Sequence, residues 1–175
     1  GEFWVEKQGK GARIYLRLPG DRDPNTVTIE VAKRYNLIED QASANSPNRL
    51  DIIGAEGRAR VDTTGLKHAV ISGLTFRFTN AWWDYHFADW MHKEVDNACI
   101  RLRGSSDDVH VLNCRFEHVS KAVRIEAINS KTNIGSVVVA DNEIRYTDDA
   151  AMSITQDKGN LDSVRAMRNN LYMIG

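Results

Sequence analysis

Four segments in the second half of the chain share one pattern of alternating apolar and polar residues. They are AVISGLTF from Ala69, VHVLNCRF from Val109, VVVADNEI from Val137 and VRAMRNNL from Val164. The steps between them are 40, 28 and 27 residues when they are aligned on Ile71, Val111, Val139 and Ala166. Each segment is too short to bury its own apolar face, so the segments must stack on one another. The repeat therefore predicts an all-β fold, a right-handed parallel β-helix (solenoid).

A second set of short apolar segments alternates with the first: CIRL from Cys99, AVRI from Ala122 and AMSI from Ala151. Neighbouring strands of a sheet lie about 4.8 Å apart, so equivalent side chains form ladders across the stack. We expect two such ladders to point inward, one made of Ile100, Val123 and Met152, the other of Leu102, Ile125 and Ile154. The residues between them then point outward, namely Arg101, Arg124 and Ser153.

The first part of the chain has a different pattern. Residues 2–18 predict a β-hairpin, in which two apolar runs flank the turn Gln8-Gly9-Lys10-Gly11. A turn-rich connector follows, and the alternation over residues 26–31 predicts a third strand. We therefore divide the chain into a hairpin and strand module, residues 1–38, and β-helix coils, residues 39–175. An insertion at residues 80–95 accounts for the longest repeat step.

Composition excludes several classes of protein. The chain has 175 residues and a net charge of −1. It therefore lacks the excess of positive charge that would indicate a nucleic-acid partner. Its apolar runs are shorter than a membrane span, and we expect no membrane partner. Two cysteines, Cys99 and Cys114, are too few for a disulfide framework and are expected to be small core or turn residues. The sequence begins in a strand-like run and stops partway through a coil. We therefore expect it to be a fragment, with the rest of a larger chain or a capping domain at both ends.

Three stretches carry a resemblance to a known family. They are GEFWVEKQGKGARIYLRLPGDRDPN from Gly1, GLKHAVISGLTFRFTN from Gly65 and NACIRLRGSSDDVHVLNCRFEHVSKAVRI from Asn97. Together they resemble bacterial right-handed parallel β-helix proteins of the pectate-lyase-like superfamily, most closely the xylosidase- and fucosidase-type glycoside hydrolases. The resemblance covers nearly the whole chain. It implies an oligo- or polysaccharide partner, a location outside the cytoplasm (secreted, periplasmic or cell-surface), and no cofactor.

The outward arginines are the first candidate for substrate binding. Arg101 and Arg124 are expected to lie about 5 Å apart, where two positive charges repel by about 1 kcal/mol in water. One interpretation is that a carboxylate or sulfate on a sugar binds between them. The alternative is that Glu126, beside Arg103, neutralises the pair diagonally. On the other outward face Arg77, Glu117 and Arg145 alternate in sign, and Arg115 faces Glu143, as in a solvated structural ladder.

Two adjacent carboxylates are the catalytic candidates. Asp148 and Asp149 lie in YTDDAAMSI, just before a strand of the arginine face. Counting back through the ladder aligns Asp148 with Val119 and Asp96, which places Asp96 about 9.5 Å from Asp148 between backbones. Inverting glycosidases hold their acid and base roughly 6.5–9.5 Å apart. We expect Asp148 or Asp149 to be the acid, with one pKa raised by its neighbour. Asp96 is then a possible base, and a simple turn is the alternative for the pair.

The insertion NAWWDYHFADWMHKEV concentrates aromatic residues in a single loop. Flat aromatic rings stack on sugar rings, so Trp82, Trp83, Tyr85 and Trp90 are candidate substrate-binding residues. The alternative is that they pack on the coils or on a neighbouring domain. His86 and His92 have no third ligand at a suitable spacing, so no metal site is expected.

Taken together, the sequence predicts a glycoside hydrolase that acts on plant or algal polysaccharide fragments. Fold resemblance does not decide the reaction, so two other functions stay open. One is a polysaccharide lyase, in which an arginine such as Arg124 neutralises a uronate and a basic residue takes the C5 proton. The other is a glycan-binding or adhesive β-helix with no catalytic centre.

Overall fold

A computed structural model describes residues 2–9, 11–29, 32, 34–45, 62–79 and 97–175. The chain divides into two compact units, Gly1–Val31 and Ala32–Gly175. The boundary expected from the sequence, between residues 38 and 39, falls inside a two-residue strand, Ile38–Glu39. Within the described residues, no helix is long and apolar enough to cross a membrane.

The first unit is the predicted hairpin. Strands β1 (Glu2–Gln8) and β2 (Gly11–Arg17) pair antiparallel, and Gln8 faces Gly11 across the turn. Gly9 has a φ of 59°, a conformation that glycine adopts without steric cost, which explains a glycine in this turn. The hairpin prediction is therefore confirmed.

The third strand predicted at residues 26–31 is wrong where the structure describes it. Pro24–Thr26 forms a 3-10 turn instead, and residues 27–29 are not in a strand. The Asp23 carboxylate accepts a hydrogen bond from the Asn25 backbone N–H at 2.9 Å. Proline fixes φ and aspartate caps turns, so these two residues outweigh the alternating pattern that follows them.

The second unit is largely β. Its one described helix, α1, spans Gln41–Asn45. Its strands are β3 (Ile38–Glu39), β4 (Thr64–Ser72), β5 (Thr75–Arg77), β6 (Ile100–Leu102), β7 (Ser105–Leu112), β8 (Arg115–Ala127), β9 (Asn133–Ile134), β10 (Val137–Ala140), β11 (Glu143–Gln156), β12 (Asn160–Leu161), β13 (Val164–Met167) and β14 (Asn170–Ile174).

These strands form parallel sheets. One sheet has the order β13-β10-β7-β4, a second has the order β14-β11-β8-β6-β3 with β5 also on β8, and a third pairs β12 with β9. The chain visits the sheets in a fixed cycle, through β7, β8 and β9, then β10, β11 and β12, then β13 and β14. The described part of this unit is thus an all-β structure with parallel sheets, as the repeat predicts.

The observed pairing confirms both predicted alignments. In the first sheet the paired residues are Ile71, Val111, Val139 and Ala166. In the second they are Ile100, Val123 and Met152. Leu102 and Ile125 are also paired and fully buried, but Ile154, expected to point into the core, is 43% exposed. The reason is that β14 pairs with β11 only as far as Thr147, so no described strand covers Ile154 on that side.

Two bends recur in every repeat and are built by residues with positive φ. The first bend uses Gly73, Asn113, Asp141 and Arg168, and the second uses Phe78, His118, Tyr146 and Met173. Both series have the steps 40, 28 and 27, so each bend lies at the same point of successive repeats. The left-handed conformation costs a non-glycine residue roughly 1–2 kcal/mol, and only the surrounding stack can hold it.

A ladder of two asparagine side chains, Asn142 buried and Asn169 partly buried, fixes the first bend. The Asn142 side chain accepts a hydrogen bond from the Cys114 backbone N–H at 2.8 Å and donates one to the Val111 carbonyl at 3.0 Å. One repeat later, Asn169 accepts from the Asn142 backbone N–H at 3.1 Å and donates to the Val139 carbonyl at 2.9 Å. The two side-chain amides therefore form hydrogen bonds with backbone N–H and C=O groups that the bend leaves without a partner in the neighbouring strand.

Both cysteines are buried and free, as expected of small core residues. Burial raises the pKa of the Cys99 thiol to about 12, which keeps it protonated and unreactive.

We therefore expect neither Cys99 nor Cys114 to react with Ellman's reagent at pH 8 while the protein is folded. Both should react within minutes in guanidinium chloride. Rapid labelling of the native protein would contradict the burial of these thiols.

Candidate functional site

The arginine ladder forms as predicted, but it is not on an open surface. Arg101 pairs with Arg124 and Arg124 pairs with Ser153 across β6, β8 and β11. Arg101 is 0% exposed and Arg124 only 8% exposed. Helix α1 contacts this strand, because the Ser43 hydroxyl donates to the Arg101 carbonyl at 3.3 Å. A ligand that binds these guanidinium groups directly would have to reach side chains that are almost entirely covered.

Glu126 bridges two of the arginines on this face. Its carboxylate accepts hydrogen bonds from Arg103 Nε at 2.7 Å and from Arg124 Nη2 at 2.8 Å, and it is fully buried. Burial alone would raise the pKa of Glu126, but the charges and hydrogen bonds of Arg103 and Arg124 outweigh it and lower that pKa. The predicted alternative, charge neutralisation by Glu126, is therefore the arrangement that the structure contains for Arg124.

Arg101 lies in the same charged layer. Burial lowers its pKa to about 10, opposed by the negative charge of Glu126 and reinforced by the positive charge of Arg124. The guanidinium still carries its charge at neutral pH. Charged arginine side chains are thus buried on this face of the sheet. One of them, Arg124, lies on β8, which pairs with the strand that carries Asp148 and Asp149.

A buried lysine, which the sequence did not indicate, contacts one of those carboxylates. Lys121 Nζ donates a hydrogen bond to Asp149, and its side chain is only 5% exposed. Burial lowers the pKa of Lys121, while the hydrogen bond to Asp149 opposes that shift. Lys121 and Asp149 thus form an ion pair in which the lysine is the more deeply covered partner.

The two aspartates sit in a bulge within β11. Thr147 pairs with Val119 and Ala150 pairs with Lys121, so two residues, Asp148 and Asp149, lie opposite Ser120 alone. The predicted alignment of Asp148 with Val119 is therefore wrong, because the extra residue shifts the register. The pair also lies inside a strand rather than before one. Bulges of this kind redirect side chains and are common next to active sites.

Asp148 is the more exposed of the two carboxylates, and its surroundings favour the acid form. Partial burial raises the pKa of Asp148, and the charge of His118 partly opposes the rise. The direction agrees with the prediction that one pKa of the pair is raised. The physical cause is partial burial, however, and not repulsion from Asp149.

A column of four rings lies beside this bulge and was not predicted. Consecutive ring centroids are 5.7 Å apart for Phe78 and His118, 4.9 Å for His118 and Tyr146, and 6.0 Å for Tyr146 and Tyr172. All four side chains are exposed, and the first three lie on the left-handed bend. Extending the alignment of the repeat to the second bend would have found these three rings, since they share its steps of 40 and 28.

The predicted alternating charge ladder is confirmed. Glu117 accepts hydrogen bonds from Arg145 at 2.6 Å and lies 2.7 Å from Arg77 Nε. Arg115 lies 2.9 Å from Glu143. These contacts lower the pKa of Glu117, first through the hydrogen bond from Arg145. The ladder borders the ring column. Its arginines and glutamates form ion pairs with one another, which fits a structural role.

Asp40 is a second residue that the sequence did not single out. Its buried carboxylate accepts hydrogen bonds from three backbone N–H groups, those of Ser43 at 2.8 Å, Arg103 at 2.8 Å and Gly104 at 2.7 Å. It also accepts from the Ser106 hydroxyl at 3.3 Å. Asp40 thus ties α1 to the turn that follows β6.

Several predicted site residues lie outside the described residues, namely Asp96, Trp82, Trp83, Tyr85, Trp90, His86 and His92. Among the residues that the structure does describe, no three His, Cys, Asp or Glu side chains are placed to hold a metal ion. The described part of the site therefore consists of Asp148, Asp149, Lys121, the ring column and the buried arginines of the neighbouring strands.

Comparison with protein families, with characterised proteins and with solved structures finds no match for this chain. The class of the protein therefore follows from its own structure: a largely β protein whose second unit is built from parallel sheets.

Proposed function

We propose that residues 39–175 form a right-handed parallel β-helix of the pectate-lyase-like kind. The cyclic order of the sheets supports this fold, because the chain returns to each sheet at nearly constant intervals. The parallel register and the two recurring left-handed bends support it as well. Stacked coils of this kind present equivalent side chains along one wall, where an extended polymer would lie.

We further propose that the protein is a secreted carbohydrate-active enzyme that hydrolyses glycosidic bonds in plant or algal polysaccharide fragments. The observation that supports this most is the bulge at Asp148 and Asp149. It combines an exposed carboxyl of raised pKa with a second carboxylate held by Lys121. Glycosidases use a carboxyl group of raised pKa as the acid that protonates the leaving oxygen.

In this mechanism Asp148 is the general acid. Its proton passes to the leaving glycosidic oxygen as the bond to the anomeric carbon breaks. A water molecule attacks that carbon from the opposite face and gives its proton to a base, for which we propose Asp96. The Asp149 carboxylate, held by Lys121, stabilises the positive charge that develops on the sugar ring. Products are two reducing sugars or oligosaccharides, and no cofactor takes part.

The remaining predicted residues bind substrate in this proposal. Arg101 and Arg124 contribute positive charge from behind the wall, which favours sugars that carry carboxylate or sulfate groups. Residues of the aromatic insertion stack on sugar rings, with Trp82, Trp83, Tyr85 and Trp90 as the candidates.

The proposal is tested by replacing the acid. We expect Asp148→Asn to reduce release of reducing ends from xylan, fucoidan, pectin or alginate by about 100-fold or more, as loss of a general acid does. The wild-type rate should fall as pH rises through the elevated pKa of Asp148, and the variant should lack that dependence. Asp157→Asn, which removes a carboxylate from an exposed loop, is the matched control. If Asp148→Asn keeps more than half of the wild-type rate, Asp148 is not the acid.

A polysaccharide lyase is the second candidate, and Lys121 favours it. A lysine whose pKa is lowered by burial is a suitable base for removing the C5 proton of a uronate. The carbon–oxygen bond at C4 then breaks, and the product is unsaturated. Ultraviolet absorbance that grows with product distinguishes this reaction, since hydrolysis releases reducing ends without it. A glycan-binding protein would give neither product but would still be retarded in a gel that contains its polysaccharide.

A further inference from the structure

His118 is the central ring of the stacked part of the ring column. Its ring centroid lies 5.7 Å from that of Phe78 and 4.9 Å from that of Tyr146, and the ring planes differ by only 16° and 6°. An imidazole that is covered on both faces contacts other groups through its edge, which carries both ring nitrogens. What His118 offers to its surroundings is therefore its charge and its proton, because its faces are used in the stack.

The proposed acid lies on the same side of the sheet as this imidazole. Val119 and Thr147 are paired across β8 and β11, and both side chains are buried. Side chains alternate along a strand, so the residues next to this buried pair point away from the core. His118 directly precedes Val119, and Asp148 directly follows Thr147. The two groups are thus diagonal neighbours on adjacent strands, which lie about 7–8 Å apart in a regular sheet.

The charge of His118 acts on Asp148 across this spacing. Partial burial raises the pKa of the Asp148 carboxyl, and the positive charge of His118 opposes part of that rise. An imidazolium stabilises a nearby carboxylate, so Asp148 gives up its proton more readily while His118 is charged. The proton on the proposed acid is therefore coupled to the protonation of a group on the neighbouring strand.

Other charged groups lie around these two residues, and most of them are paired with one another. The titratable and charged groups on the adjoining strands are Glu117 with its partners Arg77 and Arg145, Asp149 with its partner Lys121, and Tyr172 on β14. Among these side-chain types, histidine is the one whose charge ordinarily changes between pH 5 and 8. The charge that opposes the burial of Asp148 thus comes from a residue type that gains and loses its proton in this range.

We propose that His118 is a positioning residue that acts through Asp148 and sets the upper pH limit of cleavage. This inference rests on the proposed function, in which Asp148 must carry a proton before it can protonate the leaving oxygen. A charged imidazole makes Asp148 the stronger acid, because it stabilises the carboxylate that remains after proton transfer. It also lowers the pH at which Asp148 loses its proton to solvent. The flanking rings of Phe78 and Tyr146 hold the imidazole in place for this role.

The inference is tested by removing the charge of His118. Asparagine is neutral and adopts the left-handed conformation of this bend readily, so His118→Asn should keep the fold. We expect the fall in the rate of reducing-end release to move to higher pH. Where the wild type keeps about a tenth of its maximal rate, the variant should keep about two to three times that share of its own maximum, the effect of one charge about 7–8 Å away in water.

Two further variants separate the charge from the ring and from histidine in general. His118→Lys keeps a positive charge but removes the ring, and its pH profile should stay close to that of the wild type. His110→Gln is the matched control, because it removes a histidine on β7 whose ring lies 3.0 Å from Asp108. Its pH profile should equal that of the wild type.

The coupling can also be measured without turnover, by carbon-13 NMR titration of the Asp148 carboxyl, whose signal is assigned by its loss in Asp148→Asn. If Asp148 titrates at the same pH in the wild type and in His118→Asn, the role of His118 is overturned, and the hydrolase is judged by the Asp148→Asn rate alone. If the titration moves to higher pH in His118→Asn but the wild type cleaves no glycan, the electrostatic coupling stands and the hydrolase fails. A His118→Lys profile that moves to higher pH together with that of His118→Asn overturns the inference, since the stacked ring and not the charge would then govern Asp148.

Discussion

Replacing Glu126 with glutamine should lower the free energy of unfolding by about 3–5 kcal/mol, the usual cost of removing one partner from a buried ion pair. The Glu126 carboxylate contacts both Arg103 and Arg124 and is fully buried. Glutamine has nearly the same shape, so the core packing is preserved and the change is electrostatic. The two guanidinium groups keep their charge in an environment of low dielectric constant, but lose the negative charge that both contact.

The same carboxylate makes a pH-dependent contribution. Its folded pKa lies below the unfolded value of about 4.3. The folded state therefore binds fewer protons, and the stabilisation is fully present above the unfolded pKa. It is lost as pH falls through the folded pKa. We expect the difference in unfolding free energy between wild type and Glu126→Gln to be constant near neutral pH and to shrink progressively below pH 4.

Glu143→Gln is the matched control for this measurement. Glu143 also contacts two arginines, Arg115 at 2.9 Å and Arg145 at 3.3 Å, but its side chain is 34% exposed. Ion pairs exposed to water contribute about 1 kcal/mol or less, so urea denaturation should show only a small loss. Equal losses in the two variants would show that burial does not govern the energetics of this charged layer.

The parallel pairing could be predicted from the sequence because the repeat has a nearly constant step. A constant step fixes which residues share a ladder, and the pairs Val111 with Val139 and Ile100 with Val123 follow directly. The charge ladder of Glu117 follows for the same reason. Once apolar residues must stack, the polar residues between them stack too.

Other parts of the site could not be predicted, for identifiable reasons. Counting back from Asp148 assumes one residue per partner, and the bulge opposite Ser120 breaks that assumption without any signal in the repeat. Alternation shows that Arg101 points away from the core, but it does not show that other parts of the chain cover it. Asp40 bonds to residues more than 60 positions away, and no local pattern reports such a contact.

Replacing Asp40 with alanine should also destabilise the protein strongly, by about 3–5 kcal/mol, because the change removes a buried acceptor from several donors at once. The backbone N–H groups of Ser43, Arg103 and Gly104 all donate to this carboxylate. A buried donor left without an acceptor costs about 1–3 kcal/mol, and water entering the new cavity would recover part of that cost. Asp40→Asn should lose less than Asp40→Ala, since one carbonyl oxygen remains as an acceptor.

Asp107→Ala is the control for this prediction, because it removes the same chemical contact at an exposed position. The Asp107 carboxylate accepts a hydrogen bond from the Ser136 backbone N–H at 3.0 Å, and solvent can replace it there. We expect a loss of about 1 kcal/mol or less in urea denaturation followed by far-ultraviolet circular dichroism. The ranking Asp40→Ala, Asp40→Asn, Asp107→Ala follows from burial and from the number of donors. If Asp40→Ala unfolds at the same urea concentration as Asp107→Ala, α1 is not anchored to the turn after β6 by this carboxylate.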